Sequence, residues 1–422
     1  VQRMAQLSSL FVLAGLLAYV TGRRQQLAGS APGWLPIGLA FVLCFPLAVL
    51  SKESGLLFPF LALLVEVLVF RFAGSRQQRR LLISLFILVA LLPAVAAVAY
   101  SLGNYERLFV AAYENREFTV AERVLTQFRV LLYYLYQLVF PVQANMGFFH
   151  DDFTVSHGLL DPPATLLALG CIAGLIAGAV LAGTRAVLPA LGILFFFVAH
   201  ALESSVFSLE LFFEHRNYLP AFGLLLALAA LLYRLLRDRR LFAGVAAGVL
   251  VLLAGLTVLR ADTWGSYQAF YQHAWRVHPE SKRVNADIAN SLAGAGQYDD
   301  ALRVLQQFDD AGFVLNRLYV RCQRDRLLPD ADVLAAREGL HGALGDHAVS
   351  GLINLANAGL DGECTLSGDA FVALVDALLL QPVTRTNRSK ILLYKAHYQP
   401  VSYTHLRAHE TTSLISYAVF CL

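Results

Sequence analysis

Apolar residues fall into runs at approximately 4–22, 33–50, 55–71, 81–101, 124–140, 163–184, 187–208, 217–235 and 241–260, separated by polar or arginine-bearing stretches. Most runs are long enough to cross a hydrocarbon core of roughly 30 Å as helices, so the pattern predicts a polytopic bundle over 1–260. After Arg260 the pattern changes. Between Ala286 and Phe308 small and apolar residues recur at helical spacing, break at Gly296, and resume from Tyr298 with Leu305 and Phe308 on one face. Two short helices joined by a glycine turn are expected there, and the whole chain is expected to be all-α.

Arginine placement orients the spans. Arg23 and Arg24, the group Arg71 to Arg80, Arg185, and the group Arg234 to Arg240 mark one face as cytoplasmic. Counting forward from them puts 102–123 outside, and counting backward puts 142–162 outside. Both hold only if 124–140 does not cross. That run carries Gln127, Arg129, Tyr133, Tyr134, Tyr136 and Gln137 and ends at Pro141, which suits a re-entrant or interfacial helix; a missed span is the alternative reading. The expectation is about eight spans, with the chain after Arg260 emerging on the outer face.

With 57% hydrophobic and 15% charged residues, the composition excludes an ordinary soluble chain, which carries nearer a quarter charged residues. No basic cluster interleaved with aromatics points to nucleic acid. Five cysteines at 44, 171, 322, 364 and 421 show no metal-type spacing. Cys44 and Cys171 read as small residues of apolar spans. Cys322 and Cys364 fall in the domain after the spans and are free to bridge if that domain lies in an oxidising compartment.

Ala289, Leu292, Gly296, Tyr298 and Ala301 stand where one tetratricopeptide (TPR) unit places its small interhelical residues, its turn and the start of its second helix. Trp264 to Pro279 reads as the second half of a preceding unit, while 311–395 is helical in pattern but degenerate. A TPR-like domain over 261–399 is expected, since two or more units are needed to bury a continuous core.

Several polar groups border the apolar runs. Lys52 and Glu53 interrupt two runs in SKESG (51–55), where charges cost a few kcal/mol unless they pair, snorkel or face a cavity. They read either as a locally paired anchor or as an ammonium presented to a lipid phosphate, supported by Glu53. Glu214, His215, Arg216 and Asn217 precede Pro220, after a segment holding His200 and Glu203. Arg216 can grip a phosphate, and Glu214 and His215 can exchange protons near neutral pH, though an interfacial cap with a snorkelling arginine fits too. His150, Asp151 and Asp152 could supply a general base or hold a divalent cation; plain loop polarity explains them equally. Tyr105 to Arg123, with Arg116, suits a helix lying on headgroups or a solvated connector. Glu66, inside the third run, is expected to snorkel or pair within the bundle. No phosphate-cradling or serine-hydrolase pattern is present.

Taken together, SKESGLLFP (51–59), REFTVAERVLTQFRVLLYYL (116–135), HDDFTVSHGLLDPP (150–163), EHRNYLP (214–220) and the appended repeat resemble the bacterial polytopic proteins related to the transmembrane-and-TPR O-mannosyltransferases, in the GT-C glycosyltransferase superfamily. The resemblance covers roughly 1–310 and implies a GT-C-like bundle in the bacterial inner membrane with periplasmic repeats. It implies transfer of a sugar from a polyprenyl-phosphate carrier to a protein or glycan acceptor recruited by those repeats. No nucleotide sugar is required, and a divalent metal is neither demanded nor excluded. Lys52, Arg116 and Arg216 would meet the lipid phosphate, with His215 at phosphate or leaving group. The superfamily's acidic residue usually lies in a first external loop, expected upstream of Val1, so Asp151 or Asp152 would have to substitute. A non-catalytic scaffold for envelope assembly and a polysaccharide polymerase or ligase remain alternatives. The stretch 400–422, with PVSYTHLRAHET, reads as a non-native tail outside the fold.

Overall fold

Four helices follow one another at the start of the chain: α1 (Arg3–Ala28), α2 (Trp34–Ser51), α3 (Glu53–Phe70) and α4 (Arg76–Gly103). After them come α5 (Val120–Val139), α6 (Ala164–Ala182), α7 (Val187–His200), α8 (Glu214–Leu236) and α9 (Arg239–Thr263). Among the described residues all of these except α5 and α7 are long and apolar enough to cross a membrane, making seven candidate spans in a multi-pass membrane protein. The computed structural model describes residues 3–30, 32–114, 116–143, 146–340, 344 and 346–399. The expected tail at 400–422 lies outside them. Helix α5 carries Glu122, Arg123 and Arg129, which sets it apart from the spans.

Proline shapes the early helices. Pro46 and Pro93 lack the N–H that would close an ordinary α-turn, and each follows a wider π-turn, at Ala40–Cys44 and Ile87–Leu91. Between α2 and α3 the helix breaks at Lys52, whose backbone is extended, and the chain restarts in a 3-10 turn over Glu53–Leu57. Gly55 makes that break possible. A Cβ there would stand 2.4 Å from the backbone of Ala48.

Glu66 pairs inside the bundle, as expected for a carboxylate so far from water. Arg23 grips it bidentately, at 2.8 and 2.9 Å, while Tyr19 donates to it at 2.7 Å and the Phe72 amide at 3.0 Å. The remaining guanidinium bonds go to Gln26 and the Ala73 carbonyl. Both side chains are wholly buried, and at the edge of the network the Gln26 amide nitrogen has no hydrogen-bond partner among the described residues.

Helices α7 and α8 approach so closely that a Cβ on Gly192 would lie 2.3 Å from the Gly223 carbonyl oxygen. This contact brings the end of α7 to the start of α8. The apolar run 187–208 suggests a helix through 208, but α7 ends at His200 and 201–213 are not helical. Glu203, Ser204 and Ser205 stand where the helix gives out, and the freed carbonyls find side-chain partners described below.

The chain forms two compact units. One contains the residues up to Tyr113 and Phe118–Val284; the other contains Glu114–Glu117 and the chain from Asn285 on. The first unit runs past Arg260 through α10 (Tyr267–Val277) to Val284. In the second, α11 (Lys282–Gly294) and α12 (Tyr298–Leu305) form the glycine-linked helical hairpin, with Ala286, Ala289 and Ala293 buried against Ala301, Leu302 and Leu305. A larger core follows from α13 (Ala311–Asp325), α14 (Asp330–Ala336), α15 (Asp346–Leu360), α16 (Gly368–Leu378) and α17 (Arg385–Tyr398). Two residues of β1 (Leu327–Leu328) pair in parallel with β2 (Thr365–Leu366) beside a disulfide between Cys322 and Cys364. That bond meets the expectation that these two cysteines can bridge. Among the described residues the two short strands are the sole sheet, so the chain is all-α in class.

Candidate functional site

The non-helical segment 201–213 would leave carbonyls unpaired if nothing met them. Arg123 does most of this: its guanidinium donates to the carbonyls of Glu203 at 2.8 Å, Ser205 at 3.0 Å, Glu210 at 3.1 Å and also Leu209. Gln127 donates to Leu211, and the Tyr134 hydroxyl both donates to the Phe213 carbonyl and accepts from its amide. One turn of α5 after another therefore pins successive residues of this strap. The loop after α5 also folds back on it: Arg129 reaches Thr154, Thr126 accepts from the Ser156 amide, and His157 meets Glu122 at 2.6 Å.

Lys52 reaches under the strap to Glu203. The two form an ion pair whose side chains are 10% and 5% exposed. Glu53 is exposed at the start of α3 and takes no part in it. Beside the pair, His200 is buried and stacked on Tyr134, with ring centroids 5.0 Å apart, and shares a 3.1 Å bond with Asn217. Its Nδ1 has no hydrogen-bond partner among the described residues. His200 and His215 both lie within electrostatic reach of Lys52 and Arg216. Arg216 is committed to the strap, donating to the carbonyls of Glu210 at 2.7 Å and Leu211 at 3.5 Å, with its guanidinium over the Phe213 ring.

A second polar group meets the first through Glu214, next to His215. One Glu214 oxygen accepts from the Gly147 amide at 2.8 Å, His150 at 3.3 Å and Gln137 at 3.5 Å; the other accepts from Arg260 at 3.4 Å. His150 sits between Phe212 and His278, with centroids 4.0 and 4.4 Å away. Burial lowers its pKa below the ordinary 6.5, an effect the hydrogen bond to Glu214 only partly offsets. His150 is thus the neutral imidazole at neutral pH.

Asp151 and Asp152 hold the segment 278–283 of the same unit. Asp151 accepts from the Ser281 hydroxyl at 2.5 Å and the Arg283 amide at 3.2 Å, and Asp152 meets His278 at 2.8 Å. Arg283 also pairs with Glu210 at 2.6 Å. A cavity of about 10 Å³, room for roughly one water, lies among Phe149, His150, Asp151, Glu210, Phe212, Phe213 and Arg283. No three His, Cys, Asp or Glu side chains among the described residues are placed to share a metal ion.

The structure therefore brings Lys52, His215, Arg216, Glu214, Asp151 and Asp152 into one connected polar layer. Arg116 belongs to the second unit. Glu203, Arg123, His278, Ser281 and Arg283 complete the layer; Ser281 and Arg283 carry no sequence motif, and Arg123 and His278 lie within motifs that give them no role in it. Glu203 alone announces itself, as a carboxylate in an apolar run that demands a cationic partner. No known protein family, curated protein or solved structure matches the chain.

Proposed function

We propose that the chain is a membrane glycosyltransferase of GT-C type, taking a sugar from a polyprenyl-phosphate carrier at the outer face of the bacterial inner membrane. The observation that carries this reading is the contrast between its two buried ion pairs. In Arg23–Glu66 the carboxylate accepts four hydrogen bonds, as the acid of a structural pair should. Lys52–Glu203 shows a single bond, beside an imidazole nitrogen without a partner among the described residues and beside His215. An ionisable group at membrane depth whose hydrogen-bonding capacity is left open is where a charged ligand is best accommodated. In this reading Lys52 meets the lipid phosphate, His215 stands at the leaving group, and Arg216 and Arg123 position the strap that covers them.

Helix α5 supports the proposed orientation. Its first turn bonds to Glu203 through Glu210 and its last turn reaches Glu214, the first residue of α8, so both ends meet the segment 203–214. With the charges of its first turns and partners for both its ends along 203–214, α5 is read as re-entrant or interfacial and as making no net crossing. The Cys322–Cys364 disulfide supports an oxidising compartment for the second unit. In that unit the α11–α12 hairpin is read as one TPR-like repeat that recruits the acceptor.

A second reading, a non-catalytic scaffold, is favoured by one observation: both candidate acids, Asp151 and Asp152, are engaged in holding 278–283. Sugar transfer from a polyprenyl-phosphate donor, measured in proteoliposomes, decides between the two. The transferase reading predicts transfer that Lys52→Gln abolishes. Absence of transfer from every polyprenyl-phosphate sugar offered, by a protein that still binds an envelope partner, would favour the scaffold.

A further inference from the structure

Helix α10 begins four residues after α9 ends at Thr263, so whatever covers it lies next to the membrane that α9 enters. Its residues sort into rows four apart. Tyr267, Tyr271 and Trp275 form one row along the helix, with Tyr267 60% and Trp275 46% exposed, and the first two rings 4.4 Å apart. Gln268, Gln272 and Arg276, all exposed, form the neighbouring row. The opposite side is anchored to the protein: Ala274 is buried, and Phe270 packs in an aromatic group with Trp264 and Phe148, at 4.8 and 5.8 Å.

We infer that α10 lies in a membrane–water interface, the outer one on the orientation proposed above, with Tyr267 and Trp275 among the lipid glycerol groups and Gln268, Gln272 and Arg276 toward the headgroups. Aromatic rings with one polar end are at home at this depth, and an amide-and-guanidinium row beside them can bond to phosphate and ester oxygens. Trp264, 39% exposed at the end of α9, fixes where the interface begins. A bilayer is the occupant that the short link to α9 supplies. A glycan, which also stacks on aromatic rings, is an outcome the test separates.

The chain holds three tryptophans, at positions 34, 264 and 275. Trp34→Phe with Trp264→Phe leaves Trp275 as the reporter, in vesicles whose phospholipids carry bromine either near the headgroup or deep in the acyl chain. The inference predicts strong quenching by the shallow bromines, weaker quenching by the deep ones, and protection from aqueous iodide, all without added sugar. Insensitivity to both lipids together with ready quenching by iodide would overturn it and leave the row open for a soluble glycan. Should the double variant not fold, the difference between the wild-type chain and Trp275→Phe reads the same residue.

Discussion

Lys52 and Glu203, 151 positions apart in sequence, meet as an ion pair beneath the strap that follows α7. Removing one member leaves the other charged and poorly solvated. Lys52→Gln or Glu203→Gln alone should therefore destabilise the protein by about 3–5 kcal/mol, whereas the double variant Lys52→Gln/Glu203→Gln should recover much of that loss. Denaturation in detergent, followed for the three variants, gives the coupling energy. Additive losses would show that the pair is not the stabilising contact.

Arg123 holds four carbonyls of that strap while wholly buried. Bonds to a charged donor are each worth about 1.5–3 kcal/mol and are not additive, so Arg123→Ala should cost more than about 3 kcal/mol and raise amide exchange across 203–210. Arg107→Ala, at an exposed position, should change stability by less than about 0.5 kcal/mol. Comparable losses in the two variants would show that the strap does not depend on Arg123.

His150 gives the layer a pH dependence with a definite sign. Its folded-state pKa is depressed by burial, so the unfolded chain takes up the proton more readily than the folded one. Stability therefore falls as pH drops through the ordinary imidazole value of 6.5, and returns as pH rises. Glu214, Asp152 and His278 are the titratable groups around this ring. Amide exchange at 146–153 should quicken in mildly acidic buffer, and His150→Asn should remove most of that change. An unchanged profile in the variant would place the transition elsewhere.

The disulfide between Cys322 and Cys364 closes a loop with a sequence separation of 42. By loop entropy such a link stabilises by about 4 kcal/mol. Cys322→Ser/Cys364→Ser should lower the urea midpoint of the second unit by a corresponding amount, and a reducing agent should do the same to the wild type. Equal midpoints with and without reductant would mean that the link adds nothing in solution.

Sidedness is checked with single cysteines placed in a Cys44→Ala/Cys171→Ala/Cys421→Ala background, which leaves only the bridged pair Cys322–Cys364. Gly158→Cys and Asp262→Cys should react with a membrane-impermeant thiol reagent added outside intact cells, and Gln77→Cys only after lysis. Gly158 suits the purpose because a Cβ there meets nothing within 4 Å. The reverse pattern would invert the proposed orientation.

Seven of the roughly eight expected spans, the Gly296 turn, the pairing of Glu66 and the option of a Cys322–Cys364 bridge were legible in the residue pattern, because each follows from local spacing or from the cost of an isolated charge in lipid. The end of α7 at His200 was not legible: hydropathy continues to 208, while the carbonyls freed there are met by Arg123, 80 residues or more away in sequence. Asp151 and Asp152 show the same limit. Their sequence setting offered a base or a cation site, whereas their partners are Ser281, Arg283 and His278. Long-range pairing of polar side chains carries no periodic signal, so the layer emerges only in three dimensions.

The central claim is that the open Lys52–Glu203 group receives a lipid phosphate. Its most direct test is binding of a polyprenyl phosphate to the protein in nanodiscs, followed by phosphorus NMR, for the wild type and for Lys52→Gln/Glu203→Gln, the variant expected to stay folded. The account predicts binding by the wild type and affinity at least about tenfold weaker in the variant, a loss of ~1.4 kcal/mol or more. Equal affinity in the two proteins would contradict it.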